Sequence, residues 1–356
     1  MAEVALGIGT SHSPMLSTPY EAFAGLAELD RARLPEFDEK VREHASWIGR
    51  ELRPEVTRAR YDATQAAIQR LADVVAAAAP DVLVVIGDDQ GEWFSADNQP
   101  ALCIYWGETV ENLPPPSDQL LPLRRLSYWG YYGDGANRSF PVDAGLGRYL
   151  VETLTRVHEF DVAHLRVQPR HAPFGHAWGF VHQRLMGRHI VPIVPVLLNT
   201  YFPPNQPTPR RCYQLGRAIR QAVHAWPASK RVGIIASGGL SHFFVDEELD
   251  RHVLAILAKN DGDSVAALPA AQLESGSSEI RNWLVAAGAL EHLRMDLVDY
   301  VPCYRSPAGT GVGMAFAVWR EISGGGPNGP LRASPRTGCA GEEVVKKSLG
   351  SARTAR

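Results

Sequence analysis

Three histidines and one glutamate are the residues of this chain best placed to bind a metal or move a proton. His12 follows Gly9-Thr10-Ser11, and His242 follows Gly238-Gly239-Leu240-Ser241. His176 lies in Phe174-Gly175-His176-Ala177-Trp178-Gly179, and Glu279 closes Glu274-Ser275-Gly276-Ser277-Ser278-Glu279. An imidazole can serve as a metal ligand or as a general base near neutral pH. Each residue also has a plainer reading. Ser241 could cap a helix beginning near Val245, with His242 packing beside it. Glu279 suits the first turn of a helix through the macrodipole alone. His176 could be a surface-loop histidine, and His171 and His182 close by dilute its signal. Asp88 and Asp89 could be turn residues.

What favours chemistry is where strands must lie. Val4–Ile8 is an apolar, partly β-branched run, and the small polar residues and Pro14 after it end an inner strand there. Arg231–Ala236 is a second such strand and runs straight into the His242 segment. Two histidines thus follow strand carboxyl ends, where open α/β sheets bind their ligands. Further strands are expected at Asp81–Gly87, Ala101–Trp106 and Gly311–Trp319, and an edge or irregular strand at Ile190–Leu198, which carries Pro192 and Pro195. Helices are expected at Arg58–Ala79, Gly145–His158 and Arg210–Ala225, with two or three between Glu247 and Leu293. Tyr20–Arg53 is polar and helix-prone. This alternation defines an α/β fold, a central mixed sheet with helices on both faces in a single large domain, residues 1–323. Pro114–Pro141 reads as a long loop, whose rings Tyr128, Trp129, Tyr131 and Tyr132 favour an ordered wall.

Composition narrows the class. The 356 residues carry a net charge of −3, which gives no general attraction to nucleic acid or anionic membrane. No apolar run is long enough to span a bilayer, and the N-terminus has no signal-peptide pattern. Cys103, Cys212, Cys303 and Cys339 are widely spaced, which suits a reducing cytoplasm. From Gly324 the chain loses periodicity and holds six Lys/Arg against two Glu, so residues 324–356 read as a disordered, basic tail. There is no P-loop, GxSxG or HExxH pattern. The expectation is a cytoplasmic enzyme.

Taken in order, GTSHSPML, GDDQGEWF, FGHAWG, SGGLSHF and ESGSSEIRNWL resemble the class III extradiol ring-cleavage dioxygenases. That group includes the protocatechuate 4,5-dioxygenase catalytic subunit and the gallate dioxygenases. The resemblance runs from about Val4 to Trp319, and the opening and GDDQ-x-E-x-F look closest to the 3-O-methylgallate dioxygenase branch. It implies non-haem Fe(II) as cofactor, a small aromatic diol and O₂ as reactants, and a homo-oligomer. It further implies that His12 and Glu279 are metal ligands, His242 the acid/base and His176 a substrate contact. One ligand departs from the pattern: where a second histidine is expected, this chain has Gln90. Three readings stay open. Gln90 could itself be a weak ligand; His44, Tyr61, Asp89 or Glu92 could complete the site; or the site could hold metal poorly. Two other functions stay open with them, a degenerate binding or partner subunit and an O₂-independent metal-assisted hydrolase or lyase.

Overall fold

The computed structural model describes residues 1–114 and 122–321. Its strands, in chain order, are β1 (Glu3–Thr10), β2 (Val82–Asp88), β3 (Leu102–Tyr105), β4 (Thr109–Glu111), β5 (Ser139–Pro141), β6 (Ala163–Leu165), β7 (Ile193–Leu198), β8 (Arg231–Ser237), β9 (His242–Phe244), β10 (Arg294–Tyr304) and β11 (Thr310–Arg320). The main sheet runs β10-β11-β1-β8-β2-β7-β3-β6, with β9 also paired to β11. The inner strands β1, β8, β2 and β7 are mutually parallel, while β11 and β3 join them antiparallel. Every residue of β2 is buried, as a parallel strand covered on both faces requires.

Alternation along β2 divides the core. Val82, Val84 and Ile86 face the helices Ala144–Arg156, Pro209–Ala225, Glu247–Ala258 and Ile280–Leu290. Leu83 and Val85 face the helix Pro54–Ala78 and the segment from His176 to Met186. The helix Pro54–Ala78 starts with proline in its first turn and presents Thr64, Ala67, Ile68, Leu71 and Val75 to the sheet. It stops at Ala79 in a left-handed conformation, with Pro80 following. The helix Ile280–Leu290 is buried at all eleven positions, which explains its apolar sequence on every side.

Two expectations are corrected and a third is made specific. Ile193–Leu198 is an interior strand, not an edge, and it tolerates Pro195 because the antiparallel ladder from β3 ends at Val196. The polar stretch after Tyr20 is helical as expected, in three pieces, Phe23–Arg33, Phe37–His44 and Ile48–Glu51. Pro114–Pro141 is only partly loop: it holds the short helices Pro122–Arg125 and Trp129–Tyr132, and β5 pairs with β4. Residues 115–121 of that stretch, and the basic tail 324–356 with Cys339, lie outside the described residues. Strands β4, β6, β9 and β10 lie outside the expected strands: the first three span only three residues each, and the alternating half-exposed residues of β10 give no continuous apolar signal.

Backbone contact between the two helices behind β8 depends on glycine. A Cβ at Gly216 would collide with the Val285 carbonyl oxygen, and one at Gly288 with the Tyr213 carbonyl oxygen. Gly216→Ala is therefore expected to lower stability by about 1–3 kcal/mol through overpacking. Gly49→Ala, where nothing lies within 4 Å, should be neutral or raise stability by up to about 1 kcal/mol. Urea denaturation midpoints of the two variants check this contrast.

Candidate metal centre

The carboxyl ends of three neighbouring strands converge on one buried cluster. His12 follows β1, Ser237 ends β8, and Asp88 ends β2. Glu279 enters from the single helical turn Ser275–Glu279 that leads into Ile280–Leu290. Gly238 and Gly239 let that turn come close: a Cβ on Gly238 would crowd Glu279 and Asn282, and the Gly239 N–H donates to Glu279 Oε2 at 2.6 Å. Asn282 then ties the helix to the sheet, donating to Asp88 Oδ1 and to the Ser237 carbonyl. Asp88, Glu279 and His12 are 0%, 2% and 3% exposed.

All three histidines have their Nδ1 committed elsewhere. His242 Nδ1–H donates to the Leu240 carbonyl, and His176 Nδ1–H to the Glu92 carboxylate. Ser237 Oγ gives its single hydrogen to the Ala177 carbonyl at 2.8 Å, so it accepts from His12 Nδ1–H at 3.1 Å. Each neutral ring therefore carries its lone pair on Nε2. Those Nε2 atoms all point at carboxylates: His12 at Glu279 Oε2 (3.2 Å), His242 at Glu279 Oε1 (3.2 Å) and His176 at Asp88 Oδ2 (3.8 Å). Lone pairs facing anions need positive charge between them, either protons on the rings or a cation. His176 Nε2 is moreover buried without a hydrogen-bond partner.

This donor set fits a divalent metal. His12, Asp88, His176 and Glu279 offer ligand atoms within 4.8 Å of one another, about the span that ligands of one ion occupy at bonds near 2.0–2.3 Å. An Nδ1–H held by a carbonyl or carboxylate, leaving Nε2 free, is the usual arrangement of a metal-binding histidine. His242 stands outside that group of four.

Electrostatics without a cation show the same demand. Burial raises the Asp88 carboxyl above its ordinary value, and the nearby Glu279 charge raises it further. Glu279 would also rise on burial, but the His242 and His12 imidazoles hold it well below the carboxylate range. Burial opposes a charged His176, yet Glu92 outweighs it and lifts the ring to about 10. His242 is raised too, against burial, by Glu279.

The expected residues separate as follows. His12, His176, His242 and Glu279 come together, and Gln90 joins them, donating its amide nitrogen to both Asp88 Oδ2 and Glu279 Oε1 at 3.0 Å. Asp89 is a turn residue, accepting from the Gly91, Trp93 and Phe94 amides. Asp88, its neighbour, points into the cluster; adjacent residues at a strand end face opposite ways, which no motif signals. Glu92 meets His176. His44 instead bonds the Ala308 carbonyl, and Tyr61 packs with Tyr20 and Phe23. Ser241 does not cap the next helix; Asp246 does, while Ser241 bonds Asp250 through its amide and hydroxyl. From the aromatic stretch, Tyr131 donates to the His12 carbonyl at 2.7 Å.

A mixed α/β fold with a nitrogen- and oxygen-donor cluster at its strand ends defines a candidate metalloprotein. Residues 42–313 match the family described as the catalytic LigB subunit of aromatic ring-opening dioxygenase, and the chain belongs to that family. The match includes Asp88, Gln90, Glu92, His176, His242 and Glu279; His12 lies before it. The chain is also similar to a gallate dioxygenase of Pseudomonas putida, 34% identical over 95 residues. That alignment covers 24% of this chain and 28% of the relative, well under half of either.

His182 is a different kind of histidine. It sits in the π-helical turn Val181–Met186, stacked on Phe140 at 4.2 Å and flanked by Phe174, with neither ring nitrogen bonded. Burial pushes its pKa from 6.5 down to about 3. The unfolded chain therefore takes up this proton first, and stability falls as pH drops from about 6.5 toward 3. At pH 5 the loss from this group is about 2 kcal/mol relative to neutral pH. His182→Leu should flatten that acid limb, which urea midpoints at about pH 5 and pH 7.5 would show.

Proposed function

We propose that this chain is a metal-dependent dioxygenase that opens the ring of a catechol-type substrate with O₂. The observation that carries this reading is the convergence of three imidazole Nε2 atoms on two buried carboxylates, in a member of a ring-opening dioxygenase family. Fe(II) is the metal proposed, with His12 and Glu279 among its ligands. Once bound, such an ion would bring a chelated diol and O₂ together and lower the pKa of the diol. Gallate, 3-O-methylgallate and protocatechuate are the substrates proposed.

His242 is the proposed acid/base. Its Nδ1–H is fixed on Leu240, so Nε2 is the atom that takes a hydroxyl proton and later returns it. Its backbone is held by Ser241, whose amide and hydroxyl both bond Asp250, and Tyr300 donates to the same carboxylate. Phe243, next along, adopts a left-handed backbone at φ 65°, a conformation that costs free energy for a non-glycine residue. The neighbouring pairs Val312–His242 and Thr310–Phe244 in the β11–β9 ladder hold it there. Tyr131, buried and bonded to the His12 carbonyl with its ring 6.4 Å from that of His176, is the proposed wall that keeps water out.

Apoprotein loaded anaerobically with Fe(II) should consume O₂ with at least one of the three acids, with loss of the aromatic absorbance, and turn over none of them without O₂. His242→Gln should lower kcat by about 10²–10⁴-fold while metal content is unchanged. Turnover in the absence of O₂, or no uptake by a fully loaded protein, would overturn the reading.

A further inference from the structure

We propose that His176 supplies, in space, the second histidine that the chain lacks at position 90, and that Glu92 is the positioning residue that makes it a ligand. This rests on the metal-dependent reading above and assigns the ligand set within it.

Gln90 is poorly placed for that role. Its side chain is exposed, and its amide nitrogen faces both carboxylates. Turning the amide over would set its oxygen against Asp88 Oδ2 and Glu279 Oε1 and give up two charge-assisted hydrogen bonds. Gln90 instead acts as a clamp that keeps the two carboxylates together. His176 has the opposite character: Nε2 is buried, unpartnered and aimed at Asp88, and its ring lies edge-on to His12 with centroids 4.5 Å apart.

Glu92 holds His176 twice. Its Oε1 accepts the His176 backbone N–H at 2.7 Å, and both carboxylate oxygens lie 2.9 Å from Nδ1. That contact fixes the tautomer and the ring direction together. Asp89 shapes the preceding turn, and Trp93 Nε1 donates to the Pro173 carbonyl while its ring stacks on Trp178. Trp178 Nε1 in turn donates to the Val85 carbonyl inside β2. A side chain at Gly87 would strike Ala177, so glycine there lets the His176 segment lie against the strand end. Finally, the Ser237 hydroxyl accepts from His12 and donates to Ala177, tying the two histidine segments through one oxygen. The run Asp89-Gln90-Gly91-Glu92-Trp93 thus has a use as a whole: it loses a ligand in the chain and imports one from 84 residues away.

The test is an anaerobic titration of the full-length apoprotein with Co(II), followed by its visible absorption. His176→Ala should weaken Co(II) binding by more than about 100-fold, Glu92→Gln by about 10–100-fold and Gln90→Ala by less than about tenfold. His176→Gly should regain affinity on adding imidazole, which a misfolded variant would not. Wild-type affinity in His176→Ala, or a larger loss in Gln90→Ala than in His176→Ala, would overturn the assignment while leaving a metal centre in place. Failure of the wild-type protein to bind Co(II) would instead sink the metal-dependent reading itself.

Discussion

Two carboxylates, Asp88 and Glu279, are buried within reach of a single amide nitrogen, and much of the surrounding structure follows from that constraint. Buried anions are costly unless paired or bound to a cation. Among the described residues, no lysine or arginine forms an ion pair with either one; only imidazoles do. Imidazole differs from the fixed cations in that it can neutralise a carboxylate as a proton carrier or step aside as a neutral donor. Either protons on these rings or a cation between them would balance the two charges.

The fold provides the constraint at low cost. Parallel strands β1, β8 and β2 end side by side, so His12, Ser237 and Asp88 arrive as neighbours without any long loop. The helix Ile280–Leu290, buried on all sides, is rigid enough to deliver Glu279 from the far face, and Trp283 Nε1 pins it to the Gly238 carbonyl. Each histidine then needs one acceptor for Nδ1, and three different ones are used: a hydroxyl, a carbonyl and a carboxylate. The carboxylate is the strongest of these, and it serves His176, whose Nε2 lies farthest from its facing carboxylate, 3.8 Å from Asp88.

Much of this was legible in the sequence. The strand-end histidines His12 and His242 could be read from local pattern, while Glu279 and the departure at Gln90 stood out only through the family resemblance, and the structure brings their side chains together. The inner strands β1, β2 and β8 were legible because they are continuously apolar. What could not be read depends on distant partners. Asp88 and Asp89 are the same residue type in adjacent positions, and only tertiary context sends one to the cluster and the other to a turn. Glu92 gains its meaning from His176, far along the chain. Pro195 argued for an edge strand, yet ladder termination at Val196 makes an interior position tolerable.

Whether the converging imidazoles and carboxylates hold a metal can be seen by anomalous diffraction at the metal absorption edge from crystals grown anaerobically with Co(II). One peak is expected in the pocket, about 2.0–2.3 Å from His12 Nε2, His176 Nε2 and a Glu279 oxygen, with His242 Nε2 outside bonding distance. A pocket with no peak, or with the three imidazoles bonded to the carboxylates and the metal elsewhere, would contradict that expectation.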